Sequence, residues 1–369
     1  MGVPILLASQ SLDGGGSERQ MRQFATALID LAFEVHVAFF RPDEVREREL
    51  RACGVQTVHI PLTSFGSPST LKVASQLWSY LKTHAIQLVH AFDAPTCTFV
   101  LPIARLAGTR VVLASQRGNR RLDSATTNRL RWLSDAVSHG IVVNAEALAV
   151  HLESEGVPKP KIRFCPNGLD TKRFSPDGRR RLPELAGASV VIGCVATHRP
   201  EKQLPFLVDS FAEMRRQRPG LRLVLVGSGS ETSKIQERIV AHQLGPDCLM
   251  IPHTPDTAEI LRSIDVFLLT SASEGQSNSL MEAMATGCAV IGSNVEGTRD
   301  LIRDGVNGYL FEYLNQADLV RKTLALVDDA TLRNRISADA SEWVRSTMSL
   351  EASAMRMAAI YEEYLDRPA

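Results

Sequence analysis

Cysteine is scarce in this chain. Its 369 residues hold six thiols (Cys53, Cys97, Cys165, Cys194, Cys248 and Cys288), widely spaced and with no C-x-x-C pair. That excludes a zinc ribbon and a disulfide framework, and it predicts buried thiols in a reducing, cytoplasmic compartment. Long apolar runs are also missing. None reaches the roughly 18 residues that a membrane span needs, and the opening "VPILLAS" has neither a basic leader nor a cleavage site, so neither a span nor secretion is expected. No tract is low in complexity, which excludes a disordered or linker-dominated chain. Net charge is zero overall, yet the halves differ: residues 1–180 carry 22 Lys+Arg against 16 Asp+Glu, and the remainder 19 against 25. Arginine concentrates in "RGNRRLDSATTNRLR", at Arg117, Arg120, Arg121, Arg129 and Arg131. This stretch could face anionic lipid, a phosphorylated acceptor or nucleic acid, or be a solvated helix face.

What the chain does have is length for two cores and a steady alternation. Short apolar, β-branched runs alternate with amphipathic helical stretches, the pattern of parallel βαβ units. Strands are expected at 5–9, 35–40, 56–60, 87–92, 110–115 and 140–144, then at 190–196, 221–227, 248–252, 265–270, 289–293 and 308–311. Pro, Gly and charge in "SPDGRRRLPELAGAS" (175–189) mark a linker between the two sets. The expected domains are therefore 1–178 and 179–348, followed by a helical stretch within 349–369 whose apolar face could pack across a domain interface. The fold class is α/β, with two tandem Rossmann-like, doubly wound parallel sheets.

The stretch "SEGQSNSLMEAMATG" (273–287) follows an expected strand and begins a helix capped by Ser277 or Asn278 and stopped near Gly287. Ligands of open α/β sheets collect at the carboxyl ends of strands, and a helix N-terminus there suits an anion. Glu274 lies in the loop and Glu282 about one turn into the helix, so two carboxylates flank a diphosphate cradle. The pattern suits a nucleoside diphosphate sugar, with hydroxyls at both ends of the diphosphate. The alternative on spacing alone is that Glu282 is an acid favoured by the helix dipole.

Glu274 and Glu282 match the E-x7-E signature of the retaining GT-B glycosyltransferases of family 4, which the chain resembles along nearly its whole length. "EAMATGCAVIGSNVEGTRDLI" resembles the segment that follows that signature. In order along the chain, "LDGGGSERQM", "IVVNAEAL", "CPNGLDTKRF", "HRPEKQLPFLVDSF", "LVLVGSGSE" and "DVFLLTSASEG" resemble further family segments. The resemblance implies a GT-B fold, with the two domains facing across a cleft, the acceptor bound by the first of them, and the helix within 349–369 packing back on that first domain. Catalytic roles fall to Lys202, Arg199 and Glu274. Donor contacts fall to Gly15, Gly16, Gly227, His253, Glu274, Gly275, Gln276, Ser277, Asn278, Ser279, Leu280 and Glu282. Glu282 would hold the ribose hydroxyls, Glu274 the sugar hydroxyls, and Lys202 the diphosphate. His90, Arg117, Arg120 and Arg121 are the acceptor-side candidates.

Two positions depart from the family pattern. Thr197 stands where the arginine five residues before the lysine is usual, leaving Arg199 as the nearest guanidinium; Gln116 and Arg117 stand where a histidine is common. An arginine cannot act as a general base, so Arg117 would hold an acceptor phosphate or the leaving group. A satisfied structural histidine is the competing reading of His90.

The implied reaction moves a sugar from a nucleotide diphosphate sugar, UDP favoured over GDP, to a lipid-linked saccharide or another saccharide acceptor in cell-surface polysaccharide or glycolipid assembly. It retains anomeric configuration, needs no metal and no further cofactor, and takes place in the cytoplasm or at an anionic membrane surface. No nucleic-acid partner is expected. Competing readings are a GT-B sugar epimerase or phosphorylase, a non-catalytic binding or regulatory protein, and an NAD-dependent oxidoreductase; "VGSGSE" (226–231) lacks the third glycine the last would need.

Overall fold

The computed structural model describes residues 2–12, 16–62, 64, 69–118, 125–254 and 256–367, without the side chains of 125–130. The chain divides into two compact units, Met1–Gly168 with Leu350–Ala369, and Leu169–Ser349.

The first unit is built on a seven-stranded sheet, β1 (Val3–Ser11), β2 (Phe33–Arg41), β3 (Gln56–His59), β4 (Leu88–Ala91), β5 (Val111–Gln116), β6 (Gly140–Val143) and β7 (Ile162–Phe164), in the order β3-β2-β1-β4-β5-β6-β7. The second carries six, β8 (Val190–Val195), β9 (Leu221–Val226), β10 (Cys248–Ile251), β11 (Val266–Leu269), β12 (Ala289–Ser293) and β13 (Tyr309–Phe311), in the order β10-β9-β8-β11-β12-β13. Every pairing is parallel. Parallel strands covered by helices on both faces are buried on both, which is why every residue of β4, β5, β6, β11 and β12 is buried, the polar His90, Ser115, Gln116 and Ser293 included. β7 was not expected. It is three residues long and only half-buried, and "KIRF" carries charge through it.

Strand order reverses between β1 and β4 in the first unit and between β8 and β11 in the second. Those reversals open the crevices in which doubly wound sheets hold ligands.

The division after Gly168 falls ten residues before the boundary the composition suggested. Leu169 and Phe174 are buried in the second unit's core. Arg181 donates to Asp265 Oδ2 (2.5 Å), and Arg179 lies 3.2 Å from Asp265 Oδ1. The charged stretch is therefore strapped to the second unit and does not span a gap.

The helix Leu350–Leu365 belongs to the first unit. Tyr361 is fully buried, meets Phe33 edge-on at 5.9 Å between ring centroids, and shares a 2.7 Å hydrogen bond with His90 Nδ1. Gly140 admits the Tyr364 ring, since a Cβ there would fall 2.2 Å from the Tyr364 hydroxyl.

Candidate donor site and acceptor-side residues

The loops that leave β8 and β11 flank the second unit's reversal, and each contributes one member of an ion pair. After β8, a single helical turn at Pro200–Lys202 is closed by Gln203, whose φ of +52° is left-handed and redirects the chain into the helix Leu204–Gln217. After β11, Thr270 donates to Lys202 O (2.8 Å), and Ala272 N donates to Glu201 O (2.7 Å), so the two loops are laced together through backbone. Across this seam Lys202 Nζ donates to Glu274 Oε1 at 2.7 Å, with side chains 20% and 9% exposed. Ser271 Oγ donates to the same oxygen (2.6 Å), and Ser293 Oγ holds Ser271 by its carbonyl (2.5 Å). A charge-assisted contact so enclosed is among the stronger polar interactions a protein makes.

The next residues turn directly into the helix Asn278–Ala285, with Ser277 extended at the N-cap and making no side-chain cap bond. Gln276, Ser277 and Leu280 are buried; Gly275, Asn278 and Ser279 are half-buried. Glu282 is 2% exposed, with Thr257 Oγ1 3.4 Å from its carboxylate. The helix ends at Ala285, and Gly287 follows at φ +80°. The family signature thus places one acid in a loop against a lysine and the other inside, on the second turn of the helix.

Two glycines control how closely these loops approach. Gly227 has φ +143°, and a Cβ on it would lie 1.9 Å from Ala196 O. Gly297 presses on Gly275, whose carbonyl oxygen would be 1.6 Å from an added Cβ. The sequence reading passed over Gly297, Ser271 and Thr257. Ser271, three residues before Glu274 in the same loop, carried the available signal.

The remaining candidates are dispersed. Arg199 is solvent-facing, its side chain 65% exposed, and among the described residues it pairs with Glu201 at 3.9 Å, so it stands outside the Lys202–Glu274 pair. His253 is exposed, and its backbone N–H donates to Ser228 Oγ (3.2 Å). In the first unit, Gly16 opens the helix Gly16–Ile29, while Gly15, Arg120 and Arg121 lie outside the described residues.

His90 is corrected from acceptor ligand to core residue. It is fully buried, Nδ1 meets the Tyr361 hydroxyl and Nε2 meets Ser115 Oγ (2.8 Å), and burial followed by the nearby Arg117 charge pushes its pKa down to about 3. Arg117 turns inward beside it: the guanidinium sits 5.2 Å from the Phe92 centroid, donates to Asn167 Oδ1, and has its pKa lowered to about 10 by burial. An acceptor would meet neither His90 nor an outstretched Arg117 in this conformation.

A cavity of about 710 Å³ lined by Thr171, Arg179, Gly287, Ser341 and Arg345 lies at the other end of the Glu282 helix and contains none of these groups. Its place at the amino edge of the sheet separates it from the chemistry argued above.

Two Rossmann-like sheets, with paired acids and a lysine at the second one's strand reversal, define a GT-B glycosyltransferase that uses a nucleotide sugar. The chain belongs to glycosyltransferase family 4: residues 14–173 match the family model "Glycosyltransferase Family 4" and residues 180–343 match "Glycosyl transferases group 1". It is 26% identical over 285 residues to an Escherichia coli UDP-Gal:α-D-GlcNAc-diphosphoundecaprenol α-1,3-galactosyltransferase, covering 72% of this chain and 73% of that one. It is 24% identical over 370 residues to the Mycobacterium tuberculosis GDP-mannose-dependent α-(1-6)-phosphatidylinositol monomannoside mannosyltransferase, covering 93% and 94%. The structure of Anabaena Alr3699/HepE in complex with UDP and glucose superposes with a TM-score of 0.85 at 18% identity, over 98% of this chain and all of that one.

Proposed function

We propose that this glycosyltransferase takes a UDP-sugar and transfers the sugar, with retention, to a lipid-linked saccharide at the cytoplasmic face of a membrane. The Lys202–Glu274 pair, with Glu282 buried behind it, carries the reading. When the donor enters, its diphosphate takes Lys202, which exchanges a carboxylate for phosphate oxygens and leaves Glu274 free to accept sugar hydroxyls. Glu282 accepts the ribose hydroxyls, and the first turn of its helix adds backbone N–H groups and positive dipole beside the phosphates. Charge developing on the leaving diphosphate is then stabilised by groups already in place, the largest contribution most enzymes make. Lys202 stands where a divalent cation would otherwise neutralise the diphosphate, so no metal and no cofactor enters the scheme.

Both relatives named above act, by their names, on lipid-linked acceptors, one from a UDP-sugar and the other from GDP-mannose. That supports the acceptor class and leaves the base as the point to test. Attachment to an anionic membrane is part of the proposal, supported by the basic first half and by Trp132 and Leu133, 72% and 44% exposed on the helix Ala125–Val137. Among the described residues no helix is long and apolar enough to cross a membrane. Flotation with vesicles should rise with anionic lipid and fall with salt; indifference to both would remove this part.

The main test is calorimetric titration with UDP- and GDP-sugars with and without EDTA. One nucleotide is expected to bind regardless of EDTA. Glu282→Ala should weaken it, and Lys202→Ala should lower turnover by about 100-fold or more, the scale of a lost transition-state charge partner. Binding that requires added Mg2+ would sink the metal-free scheme.

A further inference from the structure

We infer that His198 is a positioning residue for the donor, clasping the Arg199–Lys202 turn to the glycine turn after β9. The inference rests on the donor reading above. His198 is fully buried although it lies between two loops, the one that leaves β8 at the strand reversal and the one that leaves its neighbour β9. Its backbone is bonded on both sides to the facing turn: its N–H donates to Ser228 O (3.0 Å), and its carbonyl accepts from Glu231 N (2.9 Å). Gly229 has no side chain because His198 backbone fills the space; a Cβ there would fall 2.4 Å from His198 O. The ring reaches further. Its Cδ2 would be 3.2 Å from a Cβ on Gly227, and its Nδ1 lies 2.9 Å from Thr232 Oγ1.

Thr232 Oγ1 accepts from Gly229 N (3.1 Å) and lies 2.9 Å from Gly229 O, to which it can donate. With its single hydrogen on Gly229 O, one lone pair is left for the ring, and His198 then donates from Nδ1 with Nε2 bare. Nε2 is buried with no hydrogen-bond partner among the described residues. A proton added there would be a buried donor with no acceptor, and burial lowers the pKa of His198 accordingly. The charged groups nearest in sequence are Arg199, Glu201 and Lys202 on its own segment, with Glu231 and Lys234, paired at 2.8 Å, on the facing helix Thr232–Ala241.

Lys202 follows His198 by four positions, and the turn that joins them is tied to the β11 loop through Glu201 O and Lys202 O. Opening the clasp would thus release the ammonium from its place beside the diphosphate. Donor binding should weaken on acidification as His198 takes a proton in the opened form, by up to about tenfold between pH 7.5 and 5.5 for a group that titrates ordinarily near 6.5.

The experiment titrates UDP-glucose and GDP-mannose, which carry no group ionising in that range, into the full chain across that pH interval. The bound ligand should lose affinity on the acid side in the wild type. His198→Leu and Thr232→Val should each weaken binding about fivefold or more at pH 7.5 and flatten the pH profile, and the double variant should be no worse than either. His198→Asn, whose amide reaches Thr232, should restore affinity to within about twofold while staying flat. Unchanged affinity in both single variants, or losses that multiply in the double, would overturn the clasp. If His198→Leu does not fold, Thr232→Val carries the test alone. Hydrogen exchange at the His198 and Glu231 amides gives a readout free of the ligand: protection should fall in Thr232→Val. Unchanged protection removes the clasp, whereas lost protection with neither sugar nucleotide bound keeps it and removes the donor reading.

Discussion

Glu274 and Glu282 stand out in the sequence because they match the E-x7-E signature; their spacing alone leaves Glu282 an acid favoured by the helix dipole. Their surroundings do not. Ser271, Thr257 and Gly297 lie 3, 25 and 22 residues along the chain from the Glu274, Glu282 and Gly275 they meet, and only the fold brings the last two there. His90 shows the opposite failure, since a histidine at a strand end reads the same whether its ring faces a crevice or a tyrosine 271 residues later. Its burial has a measurable result. With a folded pKa of about 3 against an ordinary 6.5, the folded state excludes a proton that the unfolded chain binds. The stability this gives is complete above pH 6.5 and is lost as pH falls toward 3, at about 1.4 kcal/mol per unit, so about 2 kcal/mol is gone by pH 5. Urea titrations at pH 7 and 5 should show a smaller acid loss in His90→Gln than in the wild type; an identical loss in both would show that His90 does not carry it.

At the scale of elements, strands were the easiest features to read and their partners the hardest. β8 and β11 are apolar throughout because both their faces are covered. β7 escaped because a three-residue edge strand need not be apolar. The helix Leu350–Leu365 showed an apolar stripe, yet nothing in its own residues says which sheet it covers. Its Tyr361 hydroxyl supplies the answer by meeting His90 on β4. Tyr361→Phe keeps the ring packed against Phe33 and leaves a buried imidazole nitrogen unpaired, a cost of about 1–3 kcal/mol. Denaturant midpoints should report that loss; a change below about 0.5 kcal/mol would mean that water or a rotated neighbour replaces the bond.

For the molecule as a whole, two tandem sheets could be counted from the alternation alone. Where the chain passes from one unit to the other could not, because Pro, Gly and arginine at 175–189 mimic a linker while Arg179 and Arg181 are committed to Asp265. The second unit is one uninterrupted segment, Leu169–Ser349, whereas the first is assembled from two. Residues 169–349 alone should therefore give a cooperative melt, and residues 1–168 alone should bind hydrophobic dye and resist crystallisation into a single state. A cooperative melt from 1–168 would show that its core closes without Tyr361, Met357 and Tyr364. The same layout sets an order of assembly during synthesis. Domains fold as units while the chain emerges, so residues 169–349 can finish while residues 1–168 wait, exposed, for residues 350–369 to leave the ribosome.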